Sequence, residues 1–266
     1  VNLVHAPIAV VRDWHAAAAE LFARHDPWRH PVTTHWCGDW RNADRVIAAQ
    51  PGMAMLTIDA YHGEGSLIAD LLGESTRRAG RSSGGLAEFG KPVLVTEYGG
   101  SPMATSHERL AAELAVGGWA ALVHGHAGAP MLWWFEWIDQ GGRYGQFGAL
   151  RRFLAGEDLR GPSARTIAPD AHGGEGRLWA RAWLKPGRIL GYVLDTAWAA
   201  RGEEQGPVEG GVLDLGTVAA GAMYHEWWDA DLGAVRDARA IDHAGGPLRL
   251  AVPPFRRHLA WKLWRR

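Results

Sequence analysis

In Lys91-Pro-Val-Leu-Val-Thr-Glu97-Tyr-Gly-Gly100 a short apolar run leads straight into a carboxylate and then into a pair of glycines. Glycine tolerates backbone conformations closed to other residues and lets chain or ligand come close. A carboxylate taken out of water must be hydrogen-bonded or paired. Glu97 therefore either tops its strand and faces solvent, or is aimed into a cavity where it can act as a nucleophile or base. Spacing alone leaves both readings open.

Other acidic residues are candidates for a second carboxyl group: Asp59, Glu64, Glu136 and Asp139. Each reads more readily as a structural or substrate-contacting residue than as an acid, and Glu136 is the best placed. His124-Gly-His126 has no third metal ligand at a telling spacing and reads as a helix-end cluster. His35, at a strand end, suits either a core histidine or one that orients a hydroxyl or Glu97. Cys37 lacks a Cys/His motif and reads as a small buried hydrophobe. Neither a Gly-x-Ser-x-Gly elbow nor a phosphate-binding loop occurs.

The elements that must position these residues change character near residue 165. Before it, helices are predicted over Arg12 to His25, Asp44 to Gln50, Gly65 to Arg78, His107 to His124 and Phe147 to Ala155. Strands are predicted over Val32 to Trp36, Met53 to Ala60, Pro92 to Thr96 and Pro130 to Phe135, with a polar loop over Arg81 to Gly85. Strands of near-continuous apolar character separated by helices indicate parallel βα units. Four strands in about 155 residues make roughly half of a (β/α)8 barrel, whose strand ends form the active-site mouth. After residue 165 six short strands are expected, over 178–184, 189–195, 212–215, 223–228, 248–252 and 258–264. They are separated by turns such as Pro186-Gly187, with an exposed loop over 201–211, and point to a small antiparallel β-sandwich. The expected division is residues 1–164 and 165–266.

Composition narrows the function. Of 266 residues 47% are hydrophobic and the formal net charge is -1, which favours a packed core and argues against nucleic acid or an acidic membrane as partner. No apolar run reaches the length of about 18 residues needed to span a bilayer. The single Cys37 excludes an intrachain disulfide. Fifteen tryptophans suit both core packing and stacking on sugar rings.

Lys91 to Gly99, followed by Met131-Leu-Trp-Trp-Phe-Glu-Trp137, resembles the clan A glycoside hydrolases, in particular the family 5-like, cellulase-related enzymes whose barrel precedes a small β-sandwich. The resemblance extends to Thr57-Ile-Asp-Ala-Tyr-His62, to Trp14 through Thr34, and to Gly221 through Gly233 with Pro253-Pro254-Phe255. It implies that Glu97 is the nucleophile at the end of the seventh strand. It further implies that Trp134, with Trp133 as alternate, lines the sugar site, and that Tyr61, or else His62, lies beside Glu97. His35 and Glu136 complete the expected substrate contacts. The substrate would be a β-linked glycan or β-glycoside cleaved with retention, with no cofactor or metal. A full-length relative would be secreted or periplasmic, although this sequence displays no signal peptide.

One departure is large. Retention needs two carboxyl groups about 5–5.5 Å apart, and in the family the acid sits in an Asn-Glu pair that is absent here. Val1-Asn2-Leu3 resembles the stretch that follows that glutamate, so strands one to four and the acid are expected to be missing. The chain would then be inactive alone. A carbohydrate-binding protein without catalysis and an incomplete reading frame are the alternatives.

Overall fold

The computed structural model describes residues 6–37, 43–61, 67–70, 72–73, 85–100, 105–161 and 163–266. Helix α1 spans Ile8–His25, and among its side chains only those of His15 and Ala19 are buried. Strand β1 is His35–Trp36, and helix α2, Arg45–Ala49, is capped by Asp44, whose side chain accepts from the Ile47 N–H. Strands β2, Leu56–Ala60, and β3, Val93–Tyr98, complete a parallel sheet in the order β1-β2-β3. The ladder begins only at His35, later than the expected Val32. Because β2 starts at Leu56, Val32 meets the approach to that strand, through Ala54 N–H to Val32 O at 2.8 Å, and Thr34 O accepts from the side chain of Thr57 at 2.7 Å. Of the helix expected over Gly65 to Arg78, residues 68–70 and 72–73 are helical and most of the rest lies outside the described residues, as does most of the loop expected from Arg81.

Helix α3, His107–His124, has the predicted bounds. Ser106 caps its start by accepting from Arg109 N–H, and Gly125, at φ 72°, closes it in the left-handed conformation that glycine favours. Most of its side chains are buried all round, because it lies between the parallel sheet and a second, antiparallel one. The strand expected over Pro130 to Phe135 is a correction. Only Leu132 bridges to Tyr98, and Phe135 opens helix α4, Phe135–Gln140, followed by α5, Gly145–Phe153. The segment's backbone meets β3 through Tyr98 N–H to Met131 O at 3.1 Å and Trp133 N–H to Tyr98 O at 2.8 Å, and then turns into α4.

The remaining strands are β4 (Arg165–Ile167), β5 (Asp170–His172), β6 (Leu178–Lys185), β7 (Arg188–Asp195), β8 (Gly211–Val218), β9 (Gly221–Asp229), β10 (Ala234–His243), β11 (Gly246–Val252) and β12 (His258–Arg265), with helix α6 at Thr196–Arg201. They form two antiparallel sheets, ordered β10-β9-β12-β7-β6-β4 and β11-β8-β5. Strands β4, β5 and β10 were not expected. Strand β10 is an edge strand exposed along most of its length, so it lacks the apolar alternation that betrays a half-buried strand.

Side chains from both sheets share one core, with Val193, Trp227, Leu259 and Trp261 on one side and Leu213, Leu250 and Val252 on the other. The opposite face of the six-stranded sheet presents Trp179, Leu190, Tyr192 and Leu194 to the core that contains α3. Trp119 of α3 joins them, stacked on Tyr192 at 5.7 Å and edge-on to Phe153 at 4.9 Å. Such aromatic pairs contribute about 0.5–1.5 kcal/mol beyond their buried area.

Candidate functional site

The parallel strands are apolar except for a line of polar residues on one face. Thr57, Asp59 and Tyr61 alternate along β2 and its continuation, so they point the same way. His35 is the register partner of Thr57 and shares that face. Between β2 and β3 the register shifts, pairing Ile58 with Val95 but Asp59 with Glu97. The irregularity leaves Thr96 over and sets Glu97 directly beside Asp59, a re-aiming of side chains that β-bulges commonly produce near functional sites.

Four groups therefore converge at the C-terminal tips of the strands. Tyr61 donates its phenol hydrogen to Glu97 Oε2 at 3.2 Å. His35 Nε2 is hydrogen-bonded to Asp59 Oδ1. One ligand-type atom each of His35, Asp59 and Glu97 lies within 4.8 Å of the others. Glu97 and His35 are partly open to solvent, whereas Asp59 is fully buried beneath them. Burial, followed by the charge of Glu97 and the hydrogen bond to it, pushes the Tyr61 phenol well above its ordinary pKa and keeps it a donor.

The turn after Glu97 is held from below. Gly99 adopts φ 128°, and a Cβ there would meet Trp134 Cδ1 at 3.1 Å, so glycine lets the indole lie across the turn. Trp134 Nε1 donates to Gly99 O at 3.0 Å. The N–H of Gly100 donates to Glu113 Oε2 at 2.6 Å, and Arg109 Nε donates to Glu113 Oε1 at 2.9 Å. Glu113 is fully buried on α3, and Arg109 reaches on to Ala200 O of α6 at 3.2 Å. Tyr98, between Glu97 and this anchor, bonds Glu113 O at 3.2 Å and fits because position 117 is glycine.

The sequence-derived candidates thus separate. Glu97, Tyr61 and His35 come together, and Trp134 packs on the turn beside them. Trp133 is 41% exposed, edge-on to Phe135, and Glu136 is exposed in the first turn of α4. Among the described residues no hydrogen bond joins Trp133 or Glu136 to Glu97. Asp139 accepts from Tyr144. His62 and Glu64 lie outside the described residues, as do Val1 to Leu3. Cys37 is exposed, which corrects the reading as a buried hydrophobe: it follows the last residue of the short edge strand β1, where nothing forces it inward. His124 and His126 bond the carbonyls of Ala69 and Leu72, and burial lowers His126 to about 4, so both act as structural ties. Asp59 lies one residue inside the end of β2 and faces the same way as Thr57 and Tyr61. The polar i, i+2, i+4 pattern of Thr57, Asp59 and Tyr61 was the available signal.

No family model matches the sequence, and no curated protein matches it significantly. Solved structures do match in shape. One, described as a glycoside hydrolase, superposes with a TM-score of 0.61 at 11% identity, covering 94% of this chain and 60% of its own. A glycoside hydrolase family 5 structure from Bacteroides vulgatus ATCC 8482 gives a TM-score of 0.54 at 12% identity, covering 94% of this chain and 58% of its own. At these identities the likeness is one of fold, shared with the two glycoside hydrolase structures. The chain spans about three fifths of the length of the solved structures it matches.

Proposed function

We propose that the strand-tip cluster is the nucleophile half of a retaining glycosidase site acting on a β-linked glycan or β-glycoside. Glu97 attacks the anomeric carbon, Tyr61 holds its carboxylate in place, and Trp134 offers a face to the sugar. The observation that carries the reading is the convergence of Tyr61, Asp59 and His35 on Glu97 at the C-terminal end of a parallel sheet, where barrel enzymes build their sites. Asp59 is not the proton donor in this scheme. It is fully buried and bound to His35, out of reach of a glycosidic oxygen above the sheet.

The donor is assigned to a further βα segment pairing with β1, whose outer edge carries no strand among the described residues. Two exposed apolar flanks support such a segment. Helix α1 exposes Ile8, Val10, Trp14 and Phe22, and a hollow of about 360 Å3 at the far edge of β3 is lined by Met131, Leu132, Phe135, Ile138, Tyr144 and Phe147. Residues 165–266 are assigned a propping role, through contacts such as Arg109 to Ala200.

An activated substrate separates nucleophile from acid. A 2,4-dinitrophenyl 2-deoxy-2-fluoro-β-glycoside needs no protonation of its leaving group, so it should label Glu97 in this chain, detected by peptide mass spectrometry. Cellulose, β-mannan and xylan should remain uncut. Labelling elsewhere, or labelling that persists in Glu97→Gln, rejects the nucleophile assignment. Burial of Asp59 also favours a second reading, carbohydrate binding without turnover, which predicts glycan binding with neither label nor release of reducing ends.

A further inference from the structure

We propose that His35, Asp59 and Glu97 form a binding site for one divalent transition-metal ion of the Zn2+ class. Each of the three adjacent strands β1, β2 and β3 contributes one ligand, so the donors are fixed by the sheet rather than by loops. Their ligand atoms lie within 4.8 Å of one another. Zinc binds nitrogen and oxygen donors tetrahedrally at about 2.0–2.2 Å, so donors on one ion lie about 3.3–3.6 Å apart. Small side-chain shifts close the triangle.

Charge and donor type favour the same ion. Two carboxylates balance a divalent cation, and a neutral imidazole selects a borderline transition metal over Mg2+ or Ca2+, which take oxygen donors. Access suits it too. Asp59 forms a buried floor, while His35 and Glu97 flank an opening towards solvent. Three protein ligands with one position left open is the usual arrangement of an accessible zinc site. Tyr61, 3.2 Å from Glu97 Oε2, stands beside the ligand set and steadies the carboxylate. A bound ion would occupy the oxygens that Glu97 needs for attack, which makes the site a means of inhibition.

Isothermal titration calorimetry of the metal-stripped chain with Zn2+ reads binding without reference to catalysis. One ion per chain is expected, with affinity at least tenfold weaker in both His35→Ala and Glu97→Gln and unchanged in the surface control His172→Ala. Circular dichroism confirms that the variants are folded. These positions are partly exposed, and the fully buried Asp59 is left intact for that reason. Absence of stoichiometric binding, or equal affinity in wild type, His35→Ala and Glu97→Gln, overturns the proposal. Mg2+ binding as tightly as Zn2+ overturns the assigned ion class. A wild-type chain that binds no Zn2+ while its Glu97 is still labelled by the activated glycoside would reject the metal site and leave the nucleophile standing.

Discussion

At the tip of the parallel sheet two carboxylates stand beside one imidazole, which bonds Asp59, whereas in the antiparallel part of the molecule Glu157 has two cations to itself. Lys262 Nζ donates to Glu157 Oε1 at 2.8 Å and Arg188 Nε to Oε2 at 2.9 Å. Phe153 and Trp228 close over the Lys262 ammonium, each ring centre 4.7 Å away. Burial works to raise the Glu157 pKa, but the hydrogen bonds from Arg188 and Lys262 outweigh it and hold the carboxyl below its ordinary value. Asp231 is similar: burial opposes its charge, yet His258 and Arg257 bring its pKa down to about 2. Around Glu157 the charges are matched and covered, and around Asp231 they are matched. The strand-tip cluster is open and acid-rich, an arrangement that serves an incoming ligand better than it serves stability.

The largest test of this contrast is Glu157→Ala, which leaves two cations facing each other in a covered site. Breaking a buried pair typically destabilises by about 3–5 kcal/mol, and urea unfolding should register a shift of that size. Next comes Glu113→Gln, which strips the Arg109 guanidinium of its counter-charge beneath the Gly99-Gly100 turn. A loss of about 2–3 kcal/mol is expected, together with slower labelling of Glu97 by the activated glycoside. Gly117→Ala should cost about 1–3 kcal/mol by thermal unfolding, since a Cβ there would meet the Tyr98 hydroxyl at 2.2 Å. Glu97→Gln should do the reverse of Glu157→Ala, leaving stability unchanged or raising it by up to about 1 kcal/mol, because it relieves repulsion with Asp59. A marked loss of stability in Glu97→Gln would erase the distinction between open and closed clusters.

Acid supplies the smallest and most graded test. The Asp231 carboxyl titrates lower in the folded chain than its ordinary 3.8, so its stabilisation is fully present above that pH. It is lost as the pH falls towards about 2. Asp231→Asn should therefore be less stable than wild type at neutral pH, and the difference should shrink below about pH 4. Unfolding midpoints measured across that range decide the matter.

Much of this architecture was legible because burial writes itself into periodicity. Val93 to Val95, the alternating β9 and β11 and the continuously buried β12 could be read directly, and α3 has the bounds that its pattern predicts. Strand β10 left no such mark because neither face is buried, and the segment around Leu132 misled because its apolar residues pack without forming a ladder. At the candidate site, Glu97 was legible from the strand-to-glycine transition. The alternation of Thr57, Asp59 and Tyr61 marks the face of Asp59, but its pairing with Glu97 depends on a register shift at Thr96 that no local pattern announces. The Arg109–Glu113 anchor was likewise invisible, because it joins residues on one helix to a turn and to a carbonyl 91 positions away.

That last connection has a practical consequence for anyone transplanting this motif. Gly202, at φ 85°, packs where a Cβ would strike the Glu108 backbone at 2.2 Å, so α6 and the start of α3 interlock without slack. The carboxylate-bearing strand and its glycine turn are thus the visible end of a longer cassette. A graft that carries residues 93–100 without 106–117 and 196–202 would bring the catalytic-looking sequence but leave its foundation behind.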